Sequence, residues 1–312
     1  KAQVSEQLTQ RGQLLNGPNT IENPNQVVVS GNYAYVGSYT NGGIQVFDIS
    51  TPGSPTRVGG ILPNATNLLY GIADLEISGS SLYATSYTND AFVVINIATP
   101  STPTYVNKLI NTGTTRLDGA WGIHLDGNYA YVASNLSDAL EIINITTPTT
   151  PVHAGSIQSL NLRLDGARDV VTSGNYAYVT SEVKDRFQVI DITTKTAPAL
   201  SAEMIHNGTT IFLDGAWGID ISGTSLYVAS AVSDKVQRFD ISTPAAPVAG
   251  TFLTDTGSTY LNGARDLKVS GNYLYVSSYD DDALEIINIT TPASPTHIGS
   301  LRDANARLDS AI

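Results

Sequence analysis

The chain has 312 residues, only 14% of them charged, and its 28 acidic against 16 basic side chains give a formal charge of −12. That balance argues against a surface tracking nucleic-acid phosphates. The absence of cysteine removes disulfides, thiol catalysis, zinc–thiolate sites and iron–sulfur clusters. No apolar run approaches the roughly 18 residues of a membrane-spanning helix. β-Branched and aromatic residues recur too regularly for a disordered chain. The sequence starts on Lys1 and reads as a processed form or an excised piece. One Met, no Cys and turns rich in Thr, Ser and Asn suit an extracellular protein.

In chain order, residues 1–20 read as an outer strand, TQRGQL at 9–14, followed by a lead-in. Six similar units follow, starting at Ser30, Ser78, Asp126, Ser173, Ser222 and Ser270, spaced by 47 to 49 residues. Each reads as four short strands. Strand A ends at the Ser/Asp-Gly pair, as in DLEI before Ser78. Strand B is the NYAYVAS-like run, whose second aromatic recurs as Tyr35, Tyr83, Tyr131, Tyr178, Tyr227 and Tyr275. Strand C is the LEIINI-like run, and strand D follows a TTPxxP turn, as in Val152 to Ile157. Gly-Asn and similar pairs give the A–B hairpin its positive φ. The prolines Pro52, Pro100, Pro148, Pro244 and Pro292 sit in the C–D connection, where no ladder donor is lost.

Four antiparallel strands repeated every 40–50 residues predict an all-β fold, a β-propeller of four-stranded blades forming a single domain over residues 1–312. The strand C cores LEIIN (Leu140–Asn144 and Leu284–Asn288), FVVIN (Phe92–Asn96) and FQVID (Phe187–Asp191) occupy one slot. With GNYAYVAS before them and TTPxxPxxxGS after them, they resemble the LVIVD-repeat propellers over about Gln26 to Leu301. The resemblance implies a propeller exported to a prokaryotic cell surface or envelope. It implies no reaction and brings no catalytic residue.

Blade number stays open between six and seven. Residues 9–14 match Thr296–Leu301 (THIGSL), so the chain has seven D-like strands for six A–B–C sets. Six blades with one spare end segment are favoured. RLDSAI (residues 307–312) copies the start of a further repeat, which keeps a truncated seven-bladed ring in view. Joining both chain ends in one blade would hide sheet edges.

The candidate site is the loop leading into strand A: RLDGAWG (Arg116–Gly122), RLDGARD (Arg163–Asp169), FLDGAWG (Phe212–Gly218) and YLNGARD (Tyr260–Asp266), with LLYGIAD (Leu68–Asp74) as an irregular copy. Trp121, Trp217, Arg168, Asp169, Arg265, Asp266 and Asp74 are expected around the mouth of a central channel. There the aromatic rings would stack on sugars or peptides and the guanidiniums would read carboxylates. The competing reading pairs Arg168 with Asp169 and Arg265 with Asp266 locally, and has each Trp fill space between blades. Asp90, Asp138, Asp185, Asp234 and Asp282 in the B–C loops read as turn aspartates. Asp280, Asp281 and Asp282 are the weak candidates for Ca²⁺, without the spaced pattern of a dedicated loop. Asp48, Asn96, Asn144, Asp191, Asp240 and Asn288 are expected to cap the C–D turn. Glu76, His124, Asp220 and Lys268 share one strand A position and are where an active site would be sought.

Two functions follow. The first is an extracellular or cell-surface binding or structural module contacting proteins, copies of itself or glycans, without nucleic acid or membrane insertion. The alternative is a carbohydrate-active hydrolase or lyase using the channel mouth, an analogy at the level of the fold.

Overall fold

The computed structural model describes residues 23–40, 43–158 and 164–302. The chain is a β-propeller with six blades, each a four-stranded antiparallel sheet of consecutive strands. Blade 1 is β1 (Pro24–Ser30), β2 (Tyr33–Ser38), β3 (Ile44–Asp48) and β4 (Thr56–Ile61). Blade 2 is β5 (Ile72–Ser78), β6 (Ser81–Ser86), β7 (Ala91–Asn96) and β8 (Thr104–Ile110). Blade 3 is β9 (Ala120–Asp126), β10 (Tyr129–Ser134), β11 (Ala139–Asn144) and β12 (Val152–Gln158). Blade 4 is β13 (Ala167–Ser173), β14 (Tyr176–Ser181), β15 (Arg186–Asp191) and β16 (Ala199–Ile205). Blade 5 is β17 (Ala216–Ser222), β18 (Ser225–Ser230), β19 (Lys235–Asp240) and β20 (Val248–Thr254). Blade 6 is β21 (Ala264–Ser270), β22 (Tyr273–Ser278), β23 (Ala283–Asn288) and β24 (Thr296–Leu301).

Thr296–Leu301 is therefore the outer strand of its own blade, paired with β23. Among the described residues no blade is made by joining the two chain ends. The D-like segment at 9–14 and the partial repeat at 307–312 lie outside the described residues. Blades 1–3 with Thr194–Pro198 form one compact unit, and the rest of blades 4–6 forms a second.

The sequence makes these elements for local reasons. Every A–B hairpin turns on two residues, as between Ser30 and Tyr33, and the first, Gly31, has φ +57°. A two-residue hairpin with positive φ at its first central position is the type II′ geometry that Gly permits. At the C–D turn, all six predicted caps form. Asp48, Asn96, Asn144, Asp191, Asp240 and Asn288 each accept the backbone N–H two residues on, at 2.8–2.9 Å. Those bonds, with Ser50 and Ser242, hold the carboxyls of Asp48 and Asp240 below their ordinary pKa.

The cores lie between neighbouring blades, so β-strands B and C are buried on both faces and read as nearly continuous apolar runs. In the first unit, Tyr35, Ile44 and Val46 of blade 1 pack on Leu75, Leu82 and Val93 of blade 2. Tyr83, Phe92 and Val94 of blade 2 pack on Ile123, Val132 and Ile143 of blade 3. In the second unit, Tyr178, Phe187 and Val189 meet Leu226, Val228 and Phe239, and Tyr227 meets Leu267 and Leu274. Five of the six repeated strand B tyrosines are fully buried, and Tyr275 is half-buried. Burial pushes the Tyr178 phenol up to about 12, and its hydroxyl donates to the Pro244 carbonyl at 3.0 Å.

Candidate functional site

Within each unit, consecutive A strands lie side by side: β1, β5 and β9 in one, β13, β17 and β21 in the other. Each A strand carries a register irregularity at or beside the variable pair of the repeat, for example between Ala167 and Val170 and between Ala216 and Ile219. A bulge re-aims side chains locally. Beside these irregularities, Trp121, Arg168 and Arg265 reach the first residues of B–C loops, and Trp217 lies between the two arginines.

The alternation of Arg-Asp with Trp-Gly is a device for joining neighbouring A strands. Asp74 accepts from Leu75 N at 2.7 Å with one carboxylate oxygen and from Ile123 N of the next blade at 2.9 Å with the other. Asp169 does the same with Val170 N at 2.7 Å and Ile219 N at 3.0 Å. In the same blades, the Thr85 hydroxyl donates to the Trp121 carbonyl and the Thr180 hydroxyl to the Trp217 carbonyl. The preceding blade thus holds each tryptophan's backbone on both sides. Gly218 completes the fit, because its backbone lies against the Arg265–Asp266 backbone. A Cβ there would sit 2.8 Å from the Arg265 carbonyl oxygen and 2.9 Å from Asp266 Cα. Gly218→Ala is expected to cost about 1–3 kcal/mol as β17 and β21 separate, read as a fall in melting temperature with a change in Trp217 emission.

The seven predicted site residues form two different settings. In the first unit, Trp121 stands among tyrosines. Tyr87 meets it edge-on at 5.1 Å and Tyr39 tilts toward it at 6.0 Å, with 6.2 Å between the tyrosines. All three rings are half-buried. Tyr39 and Tyr87 open their B–C loops, and sequence reasoning passed over them. The signal was the SYT triplet repeated at Ser38–Thr40 and Ser86–Thr88.

In the second unit, Trp217 is surrounded by cations. The Arg168 guanidinium carbon lies 4.0 Å and that of Arg265 4.7 Å from its ring centroid. Arg265 also stacks on Tyr279 at 3.5 Å. The Trp217 π system is therefore already occupied by guanidiniums. Arg168 bonds Glu182, Nε to Oε2 at 2.5 Å, rather than the neighbouring Asp169 of the local-pairing expectation. The Asp169 carboxylate is held by backbone amides instead. Asp266 accepts from Leu267 N at 2.7 Å.

The strand A polar position pairs two by two across neighbouring strands. His124 Nδ1 is 3.7 Å from Glu76 Oε1, and Lys268 Nζ is 3.6 Å from Asp220 Oδ2. Glu76 and Asp220 also accept the next blade's Leu125 and Val269 amides.

The three Ca²⁺ candidates do not act together. Asp281 is buried, accepts Asn262 N at 3.0 Å and faces Arg302 at 3.7 Å. Asp282 adopts φ +52° at the loop end, and the Asp280 carboxylate lies over Gly263. Among the described residues, no group of three or more His, Asp or Glu side chains is arranged to hold a metal.

A second feature missed in the sequence is a buried acid in the centre of strand C. Glu141 and Glu285 are fully buried and hydrogen-bond His153 and His297 on strand D, the first pair at 2.5 Å. Their other oxygens accept Arg116 N and Tyr260 N of their own lead-in loops, at 3.0 and 3.3 Å. Burial raises both carboxyl pKa values against the lowering effect of these bonds. Glu followed by His twelve residues later, in the two LEIIN blades, was the available signal.

The family model described as LVIVD repeat matches residues 23–62, 119–159, 166–204 and 263–303, just over half of the chain. No curated protein matches. Among solved structures, a putative 6-phosphogluconolactonase from Bacteroides fragilis superposes with a TM-score of 0.74 at 14% identity, covering 93% of this chain and 86% of that one. The periplasmic gluconolactonase of Pseudomonas aeruginosa gives 0.70 at 13% identity, covering 89% and 85%. A catalytically inactive virginiamycin B lyase from Staphylococcus aureus, solved with quinupristin, gives 0.67 at 14% identity, covering 92% and 87%. At such identities the likeness is one of fold.

Proposed function

The chain belongs to the LVIVD-repeat family, and from that premise we propose that it is an extracellular or cell-surface binding module that makes glycan or protein contacts. The observation carrying this reading is the half-buried trio Tyr39, Tyr87 and Trp121. The backbone around Trp121 is fixed in advance by Asp74 and Thr85. Aromatic rings held in place lose little conformational entropy on binding, and their apolar faces suit the C–H face of a sugar or an apolar side chain. Trp121→Ala is expected to weaken binding to an immobilised neutral-glycan panel at least tenfold without loss of the fold. Unchanged binding would remove the trio from the site.

A second reading, an enzyme acting on a sugar derivative, is favoured by the His124–Glu76 pair, in which both side chains are 24% exposed. The fold likeness to proteins named as gluconolactonases and lyases points the same way. Turnover of a sugar lactone that disappears in both His124→Ala and Glu76→Gln would establish it. The binding reading expects no turnover.

A further inference from the structure

The second unit holds a cation that is stacked on aromatic rings rather than hydrogen-bonded. Arg57, Arg168, Arg186, Arg238 and Arg302 each donate to a side-chain or backbone oxygen, while Arg116, in the first unit, is bonded through its backbone N. Arg265 makes no hydrogen bond or ion pair among the described residues, and its Nε is buried without a partner. A buried donor left unmade costs about 1–3 kcal/mol. The Arg265 guanidinium is held flat, stacked on Tyr279 and set against Trp217.

We propose that Arg265, with Tyr279, Trp217 and Arg168, forms a subsite for the single carboxylate of a hydroxylated ligand, a uronic-acid residue of a glycan. The proposal rests on reading this edge of the A strands as a ligand contact. A planar guanidinium fixed by two aromatic rings presents a rigid fork that matches a carboxylate. Burial is the largest influence on Arg265 and lowers its pKa, against the raising effect of Tyr279, Asp280 and Glu182. Among the charged side chains around it, Arg168 acts with burial, and Asp280 and Glu182 act against it.

With Arg265 itself, the cluster holds two cations and two anions. A polyanion such as an acidic peptide would meet Asp280, Glu182 and the chain's overall charge of −12. A monoanion bearing hydroxyls would place its carboxylate on the Arg265 fork. Its hydroxyls would then find acceptors in the two carboxylates.

The test is calorimetric titration of the full chain with methyl galacturonoside, with methyl galactoside, in which the carboxylate is replaced by a hydroxymethyl group, and with inorganic phosphate and a short oligo-aspartate. The expected result is at least tenfold tighter binding of the galacturonoside than of the neutral sugar. Arg265→Gln should abolish that preference and Arg265→Lys should restore only part of it, with melting curves confirming the fold. Equal affinity for charged and neutral sugars would overturn the subsite, as would an unaffected Arg265→Gln or a preference for phosphate or oligo-aspartate. If neutral sugar still binds and is lost in Trp121→Ala, the subsite alone falls. If no probe binds, the binding reading falls with it.

Discussion

Replacing Glu141 by Ala is expected to destabilise the protein by about 2–4 kcal/mol, while Glu141→Gln leaves stability at neutral pH nearly unchanged. The Ala variant opens a cavity in the centre of blade 3 and strands Arg116 N and His153 without their acceptor. The Gln variant reproduces what the molecule already does elsewhere. In blade 5 the same slot is Gln237, whose Oε1 accepts Phe212 N at 2.8 Å as Glu141 accepts Arg116 N. Glutamine also avoids burying a charge.

The pH dependence follows with a definite sign. Glu141 and Glu285 have folded-state pKa values raised above 4.5, and burial raises those of Asp118, Asp214 and Asp281 above 3.8. As pH falls from neutrality through these raised values, the folded state binds protons that the unfolded chain does not yet bind. Stability therefore rises as pH falls through the raised values, and the gain is complete below the unfolded values. Asp48 and Asp240, held low by turn bonds, act oppositely: their contribution is lost as pH falls below 3.8 through their lowered values. Melting temperature against pH should pass through a maximum on the acid side of neutrality. The slope between that maximum and neutrality should flatten in Glu141→Gln/Glu285→Gln.

Asp185→Ala is expected to cost about 3 kcal/mol, Asp185→Gly about 2 and Asp185→Asn less than about 1, in melting or denaturant experiments. Asp185 ends the B–C loop of blade 4 at φ +53°. Its carboxylate accepts Gly215 N at 2.9 Å and its carbonyl accepts His206 N at 2.8 Å, tying that loop to the connection leading into blade 5. Alanine loses the charge-assisted bond and suffers in the left-handed region. Glycine relieves only the second cost, and asparagine keeps both the acceptor and tolerance of that φ. Asp185 also adds to the burial that raises the Asp214 carboxyl, so Asp185→Asn should bring Asp214 back toward its ordinary pKa. Asp90 and Asp234 make the corresponding bonds to Gly119 N and Gly263 N, so their variants should follow the same order.

What was legible in the sequence was what is local. The four-strand repeat, the hairpin glycines and the six turn caps each depend on residues within a few positions of one another, and all are present. The B–C aspartates were legible as turn residues from their position. Their second role was not, because the amide they accept belongs to the next lead-in loop some 29–30 residues away. The pairing of Arg168 with Asp169 failed because consecutive residues of an extended strand project apart. The bulge brings Arg168 to Glu182, while Asp169 reaches the amide of Ile219. Trp121 and Trp217 look equivalent in sequence. Their surroundings differ because Tyr39 and Tyr87 lie beside one, and Arg168, Arg265 and Tyr279 beside the other.

Ligand contact by the Tyr39–Tyr87–Trp121 trio can be read from intrinsic fluorescence, because the chain has two tryptophans and each sits in one setting. In Trp217→Phe, Trp121 is the sole reporter. Titration of that variant with neutral oligosaccharides is predicted to give a saturable change in Trp121 emission that is lost when Tyr87→Ala is added. A flat response to neutral sugars, with sugar-lactone turnover that requires His124 and Glu76, would contradict the account and make the enzyme reading the working one.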